Sequence, residues 1–499
     1  MLRPSLALLV SLLLACGAKN DKTAEPEPPV DPKAEQSPAA AVVGSPGQTP
    51  ADALPALLGK APGAQEGKHV WSKKIGGAGS DAARSVAVDG DGNYIVTGYF
   101  SESVDFGGGP LESVGDKDVF LVKYDAAGAH LWSLRFGGLD EDIGQSLEVD
   151  SKGNIVITGT FKGEADFGGG KPFASIGMTD AFVARYSPQG KHLWSRRVGG
   201  ENEDRGYDLA IDSADNVIVT GYFTEPGINL GGEDLHSAGH ADIFVVKYAP
   251  TSEHIWSWRI GGKVDDLGRA VAVDADDNIV LAGDFHEDIV LGGTTLTSAG
   301  NADVLLAKFD PDGKHLWSKR FGSYFHDFTV GIALDNNGHI AVTGGFEQNI
   351  DFGGGELKGE EKKEIFLTKL TGDGQHLWSK RFGSRDDDVG SGLAVDSYGN
   401  VYFSGWFWKG IDFGGGTLES AGQNDIVLAK YAPDGSFVWA KRFGDAGGDF
   451  GRAVAVDKTG SVVLAGTFRG TVDFGGDPIE FSGTKEKSEG DAFVAKFSP

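Results

Sequence analysis

The chain has 499 residues, with 72 acidic against 45 basic side chains and a formal net charge of −27. That balance argues against nucleic acid and against electrostatic docking on anionic lipid, and it suits an extracytoplasmic protein that could meet cations. A single cysteine excludes any internal disulfide.

The first residues read as an export signal. Arg3 precedes an apolar stretch from Leu6 to Leu14 that is too short to span a bilayer. Leu13-Leu14-Ala15-Cys16 resembles a bacterial lipoprotein signal. The resemblance implies removal of residues 1–15 and lipidation of Cys16, a palmitate-bearing anchor at the outer membrane or cell surface. The alternative is an ordinary secretory peptide cut near Cys16. Residues 16–67 scatter Pro26, Pro28, Pro29, Pro32, Pro38, Pro46, Pro50, Pro55 and Pro62 among Ala, Glu, Gly and Gln. Such a composition cannot build a core, and it is expected to be a disordered stalk that holds a folded head off a membrane. No later segment approaches ~18 uninterrupted apolar residues, so the lipid would be the only membrane contact.

From residue 68 onward one unit repeats. Trp71, Trp132, Trp194, Trp256, Trp317, Trp378 and Trp439 follow one another at intervals of 61, 62, 62, 61, 61 and 61 residues. The fourth unit shows the grammar. His254 to Ile260, Ala270 to Val273, Asn278 to Phe285 and Asp303 to Phe309 are β-branched and aromatic runs divided by Gly, Asp and Asn. These are strand and turn signals, with no sustained helical period. Four strands per unit predict a propeller blade, and seven units predict a closed all-β seven-bladed ring over residues 68–499. The ring opens on the Trp strand (His69-Val70-Trp71) and ends on the strand that precedes it elsewhere (Asp491 to Phe497). The N-terminal strand is therefore predicted to complete the last blade and protect its edge.

Recurring Trp-Ser-Lys/Arg-Arg-Phe-Gly, the Asp that follows it, Ala-Val-Asp-x-x-Gly-Asn and Thr-Gly-Tyr-Phe are similar to the bacterial seven-bladed propeller repeat, the SBBP repeat, across all seven copies. The chain departs from it in reading Asp-Phe-Gly-Gly-Gly (Asp105 to Gly109, for example) where many copies continue with Phe-Pro. The resemblance implies a secreted or surface-attached propeller and carries over no catalytic residue.

Several motifs have plain readings. Asp89-Gly90-Asp91-Gly92-Asn93 lacks the Gly and Glu of a calcium loop, having Tyr94 and Phe100 at those places, and is a tight turn. His69, His130, His192, His254, His315 and His376 stand two residues before the Trp on six different blades and so cannot share an ion. A column of acids is more suggestive: Asp81, Asp142, Asp204, Asp266, Asp327, Asp388 and Asp449, each in the loop entering an innermost strand. Around a channel mouth, oxygen ligands at that density would suit Ca²⁺. The competing reading has each Asp accepting bonds from loop amides or facing a basic neighbour such as Arg135 or Lys123.

Sites are expected where the copies disagree. Around the constant Phe of the third strand in each unit, the preceding residue runs Tyr99, Thr160, Tyr222, Asp284, Gly345, Trp406, Thr467, and the following one includes Trp408. Trp406 and Trp408, with Tyr99 and Tyr222, are the candidate binding aromatics. The long connections lie on the same face as the acidic loops, where propellers carry function. The favoured expectation is a monomeric, non-catalytic binding or scaffolding module for a protein or glycan partner at the envelope. A metal-dependent hydrolase or lyase with its site at the acidic mouth is the second, and a purely structural surface component the third.

Overall fold

The computed structural model describes residues 67–483 and 489–499. Cys16, the signal segment and the linker up to residue 66 lie outside the described residues, as do residues 484–488.

Seven four-stranded antiparallel blades form the ring, the first of them extended by the hairpin Glu164–Asp166 with Phe173–Ala174, which pairs with its outermost strand. In blade one, counted outward from the axis, the strands are Ala82–Val88, Tyr94–Phe100, Asp118–Tyr124 and His130–Gly138. The innermost strands of the other six are Ile143–Val149, Arg205–Ile211, Asp266–Val273, Phe328–Leu334, Val389–Val395 and Phe450–Val456. Each packs against the next, and the last packs against the first, so the circle is closed. His69–Ile75 is the outermost strand of blade seven, paired antiparallel to Asp491–Phe497, as the repeat phase predicts.

The core lies between blades rather than along the axis. Seven large apolar clusters each combine two neighbouring blades; Val96, Phe100 and Phe120 of blade one, for example, meet Val463, Ala465 and Val494 of blade seven. A blade is thus covered on both faces. This explains why strands such as Tyr94-Ile95-Val96 read as continuous apolar runs without alternation. Each outer-strand Trp reaches across an interface. Trp132 and Trp194 donate their indole N–H to the carbonyls of Pro188 and Pro250 in the next blade, at 3.2 and 2.8 Å. The recurring His is packing, as expected: His130 covers the glycines of Asp-Phe-Gly-Gly-Gly and meets the Ser133 hydroxyl at 3.1 Å. We call the end where the innermost strands begin the upper face. The long connections fold there as small hairpins, such as Ser103–Asp105 with Pro110–Glu112.

Candidate functional site

The seven column aspartates sit in the upper loops, each within its own blade. All are buried, and both oxygens of each are occupied by backbone donors. Asp142 takes the Gly138 N–H at 2.7 Å and the Lys162 N–H at 3.3 Å; Asp388 takes those of Ser384 and Trp408 at 2.7 and 2.8 Å. The same pair of bonds recurs at Asp81, Asp204, Asp266, Asp327 and Asp449. In addition, the Asp142 amide donates to Lys117 of the preceding blade, so the residue clips two blades together. Among the described residues no three His, Cys, Asp or Glu side chains are grouped to hold an ion. Burial outweighs the two backbone bonds and pushes these carboxyls up, to about 8 at Asp142 and about 7 at the other six.

The basic columns serve other acids. Lys123 pairs with the turn residue Asp89 at 2.7 Å, and Lys247, Lys308 and Lys369 do likewise with Asp212, Asp274 and Asp335. Arg135, Arg197, Arg259 and Arg320 face Asp118, Asp180, Asp242 and Asp303, a second acidic column at the head of each third strand. Sequence reasoning missed that column, although Asp118, Asp180, Asp242, Asp303, Glu364 and Asp425 recur at 61 or 62 residues. The glycine after Phe in Phe-Gly-Gly is its counterpart: a Cβ on Gly137 would lie 2.2 Å from Asp118 and 2.5 Å from Asp142.

Three of the candidate aromatics, Tyr99, Tyr222 and Trp406, pack around the upper mouth of the channel rather than on an open surface. Each innermost strand carries a bulge there, which turns Arg84, Gln145, Tyr207, Arg269, Val330, Ser391 and Arg452 into a ring of non-equivalent residues. Tyr99 is only 2% exposed. Its ring lies 5.3 Å from the Arg84 guanidinium and 4.5 Å from the Lys117 ammonium, and its hydroxyl donates to Glu489 at 3.0 Å. Tyr222 is buried against Tyr207 and donates to Glu203 at 3.1 Å. Trp406 packs on Phe328, Val330 and Val389 and meets Phe450 edge-on at 5.7 Å. Trp408 is half-buried just past its strand, with its backbone bonded to Asp388 and Ser384. The mouth is therefore rich in aromatics along blades five to seven, where the Arg452 guanidinium stands 5.1 Å over the Phe450 ring. Across the other blades it is ionic, held by Arg269–Asp284 at 2.7 Å, Arg205–Glu203 at 2.6 Å and Lys117–Glu141 at 3.0 Å.

A feature the sequence reading did not single out lies beside this mouth. Leu139 is 80% exposed, and Val114, Ile176 and Met178 are each more than half exposed, all on the upper loops of blades one and two. Val114 stands beside Leu139, while Met178 donates its backbone N–H to the Asn202 carbonyl of the next loop at 3.0 Å. A Cβ on Gly115, next to Val114, would fall 2.6 Å from the Leu139 backbone, and Asp140 abuts Gly163, which bonds Ser175. At the place of Val114 and Ile176 other blades have Ala238, Ala299, Glu360 and Ala421; at that of Met178 they have Asp116, His240, Asn301, Lys362 and Gln423. Apolar residues where the other copies are small or polar were the available signal.

Comparison with known proteins agrees with the repeat architecture. A beta-propeller repeat model, SBBP, matches residues 377–406. An uncharacterized WD repeat-containing protein of Acanthamoeba polyphaga mimivirus is 24% identical, over 86% of this chain and 38% of its own length. The regulatory protein FlaEY of Caulobacter vibrioides is 26% identical, over 87% of this chain and 48% of its own. The chain thus spans less than half of either relative. Among solved structures, the Pan2 WD40 domain of Neurospora crassa is similar over 87% of this chain and 98% of its own, with 10% identity and a TM-score of 0.42. A polysaccharide lyase, an ulvan lyase, is similar over 81% of this chain and 93% of its own, with 13% identity and a TM-score of 0.42. The chain is a closed seven-bladed propeller, and its sixth Trp unit is similar to the SBBP beta-propeller repeat.

Proposed function

We propose that the protein is a non-catalytic interaction module that docks a protein partner on its upper face, over blades one and two. The observation that carries this is the exposed apolar set Val114, Leu139, Ile176 and Met178 on the upper loops of two adjacent blades; the other blades are small, polar or charged at these places except for Tyr324 at that of Leu139. Exposed apolar side chains grouped on one face mark contact with another macromolecule. The buried aspartates and inter-blade clusters keep the loops rigid, so little ordering entropy opposes docking. A WD-repeat name among the relatives is in keeping with this reading. The proposal includes the lipid anchor at Cys16, with the stalk presenting the head at the cell envelope, and a monomeric ring. The test is paired capture from envelope extracts with the intact protein and a Leu139→Asp, Met178→Lys variant. The variant is expected to melt like the parent and to lose the partner. Capture of the same partner by both would overturn the assignment of this face.

A further inference from the structure

Two equivalent grooves between blades open on the lower face, and they are built differently. The one between blades one and two is a cavity of about 270 Å³ lined by Asp89, Asp91, Lys123, Lys152, Gly153 and Pro188. The equivalent groove between blades five and six, about 460 Å³, is lined by Asp335, Asn337, Lys369, Tyr398, Gly399 and Pro433, together with His339, Trp378 and Asp434. Two of its residues break the repeat. Tyr398 occupies the place of Asp91, Lys152, Ala214, Asp276, Asn337 and Thr459 in the other blades. His339 occupies that of Asn93, Asn154, Asn216, Asn278 and Asn400.

We propose that this groove binds a neutral or amino-sugar pyranose unit of a glycan. Tyr398 is 77% exposed, so its ring is an open platform at the rim. Trp378 is half-buried in the groove wall, fixed by its indole N–H on the Pro433 carbonyl at 3.0 Å. A pyranose offers one C–H-rich face to such rings and a rim of hydroxyls to polar groups, which is the amphipathic match that Tyr and Trp make. The polar groups are present and oriented. Asp335 holds His339 through Nδ1 at 2.9 Å, which fixes the ring and leaves Nε2 for a ligand. The Asn337 amide and the second carboxylate oxygen of Asp434, whose first is bonded to Ser436, complete a mixed donor and acceptor set. Charge sets the class. Lys369 is spent on Asp335 at 2.9 Å, and Lys380, which stands 5.9 Å over the Trp378 ring, is balanced by Asp434, so the groove has no surplus cation for a uronate or sulfated sugar. The volume falls within the ordinary range of small-ligand sites, ~300–1,000 Å³. The groove is on the face opposite the proposed protein contact and does not depend on it.

The test is an array of neutral, amino and acidic glycans probed with the intact protein, followed by calorimetry on the best binder. Two variants accompany it: Tyr398→Ala, which removes an exposed ring, and His339→Asn, which restores the residue of five other blades. Neutral or amino glycans are expected to bind. Tyr398→Ala should weaken them about tenfold or more and His339→Asn by less, with melting unchanged in both. Absence of any glycan binding, binding confined to acidic glycans, or equal binding by Tyr398→Ala would each overturn the proposal.

Discussion

Individual glycines are where the repeat is least forgiving. The second glycine of Phe-Gly-Gly lies against the backbone of the upper hairpin: a Cβ on Gly138 would sit 1.7 Å from the Glu164 carbonyl oxygen, and one on Gly77 would sit 2.1 Å from that of Ser103. Neither oxygen belongs to a side chain that could rotate away. Gly138→Ala should therefore cost about 3 kcal/mol, at the upper end for an overpacked site. Gly90, in a turn with nothing near its absent Cβ, is the control, and Gly90→Ala should stay within about 0.5 kcal/mol. Chemical denaturation of the two variants against the parent measures both. Equal midpoints would mean that the upper hairpins yield far more readily than their packing implies. Four units keep this glycine (Gly77, Gly138, Gly200 and Gly262), and in each of them a Cβ would meet a backbone carbonyl oxygen of the upper hairpin; Ser323, Ser384 and Asp445 stand there in the other three.

At the scale of the element, the strand His69–Ile75 holds the circle shut. It supplies the outer edge of blade seven through paired backbone bonds with Asp491–Phe497, and Ser498 donates to the Lys68 carbonyl at 2.7 Å. Removing residues 68–76 exposes an edge and strips blade seven of a quarter of its sheet, so the ring should melt well below the parent or fail to fold. A truncated ring with the parent's melting temperature would show that closure rests on the innermost strands alone. This element was legible in the sequence because Trp71 stands one period before Trp132 and the chain ends on the strand that normally precedes a Trp. Blade number and strand order follow from the same count. The site was less legible. Trp406 and Tyr99 were recognisable as copy-specific, but whether such a side chain meets solvent depends on the bulge that folds it over the axis. Periodicity does not report that. His339 was equally visible as a departure from Asp-x-x-Gly-Asn, and Tyr398 as the one aromatic at the second variable place of that turn; what joins them is the packing of blade five on blade six, which brings residues 59 apart in the chain into one groove.

For the whole molecule, the aspartate column makes stability depend on pH in an unusual direction. Burial raises seven carboxyls from about 3.8 to about 7 or 8 in the folded ring. Between those limits the native protein binds more protons than the unfolded chain, so stability falls as pH rises through about 7 and is recovered on acidification. The turn aspartates act oppositely at lower pH. Burial pushes Asp89, Asp274 and Asp335 up, but Lys123, Lys308, Lys369 and the turn donors outweigh it and hold them below the usual range. Their contribution is present above the unfolded value and is lost below about pH 4. Thermal melts should therefore rise from pH 8 to a maximum near pH 5 and fall again below about pH 4. Repulsion within a chain of net charge −27 also weakens on acidification, and salt separates the two causes. At about 1 M salt the screening length is only ~3 Å, so surface repulsion is suppressed while titration of buried carboxyls persists. If the rise from pH 8 to 5 survives in high salt, the buried column is its source. If it disappears, the seven aspartates remain ionised on their backbone donors throughout, and the clips between blades are charged rather than neutral.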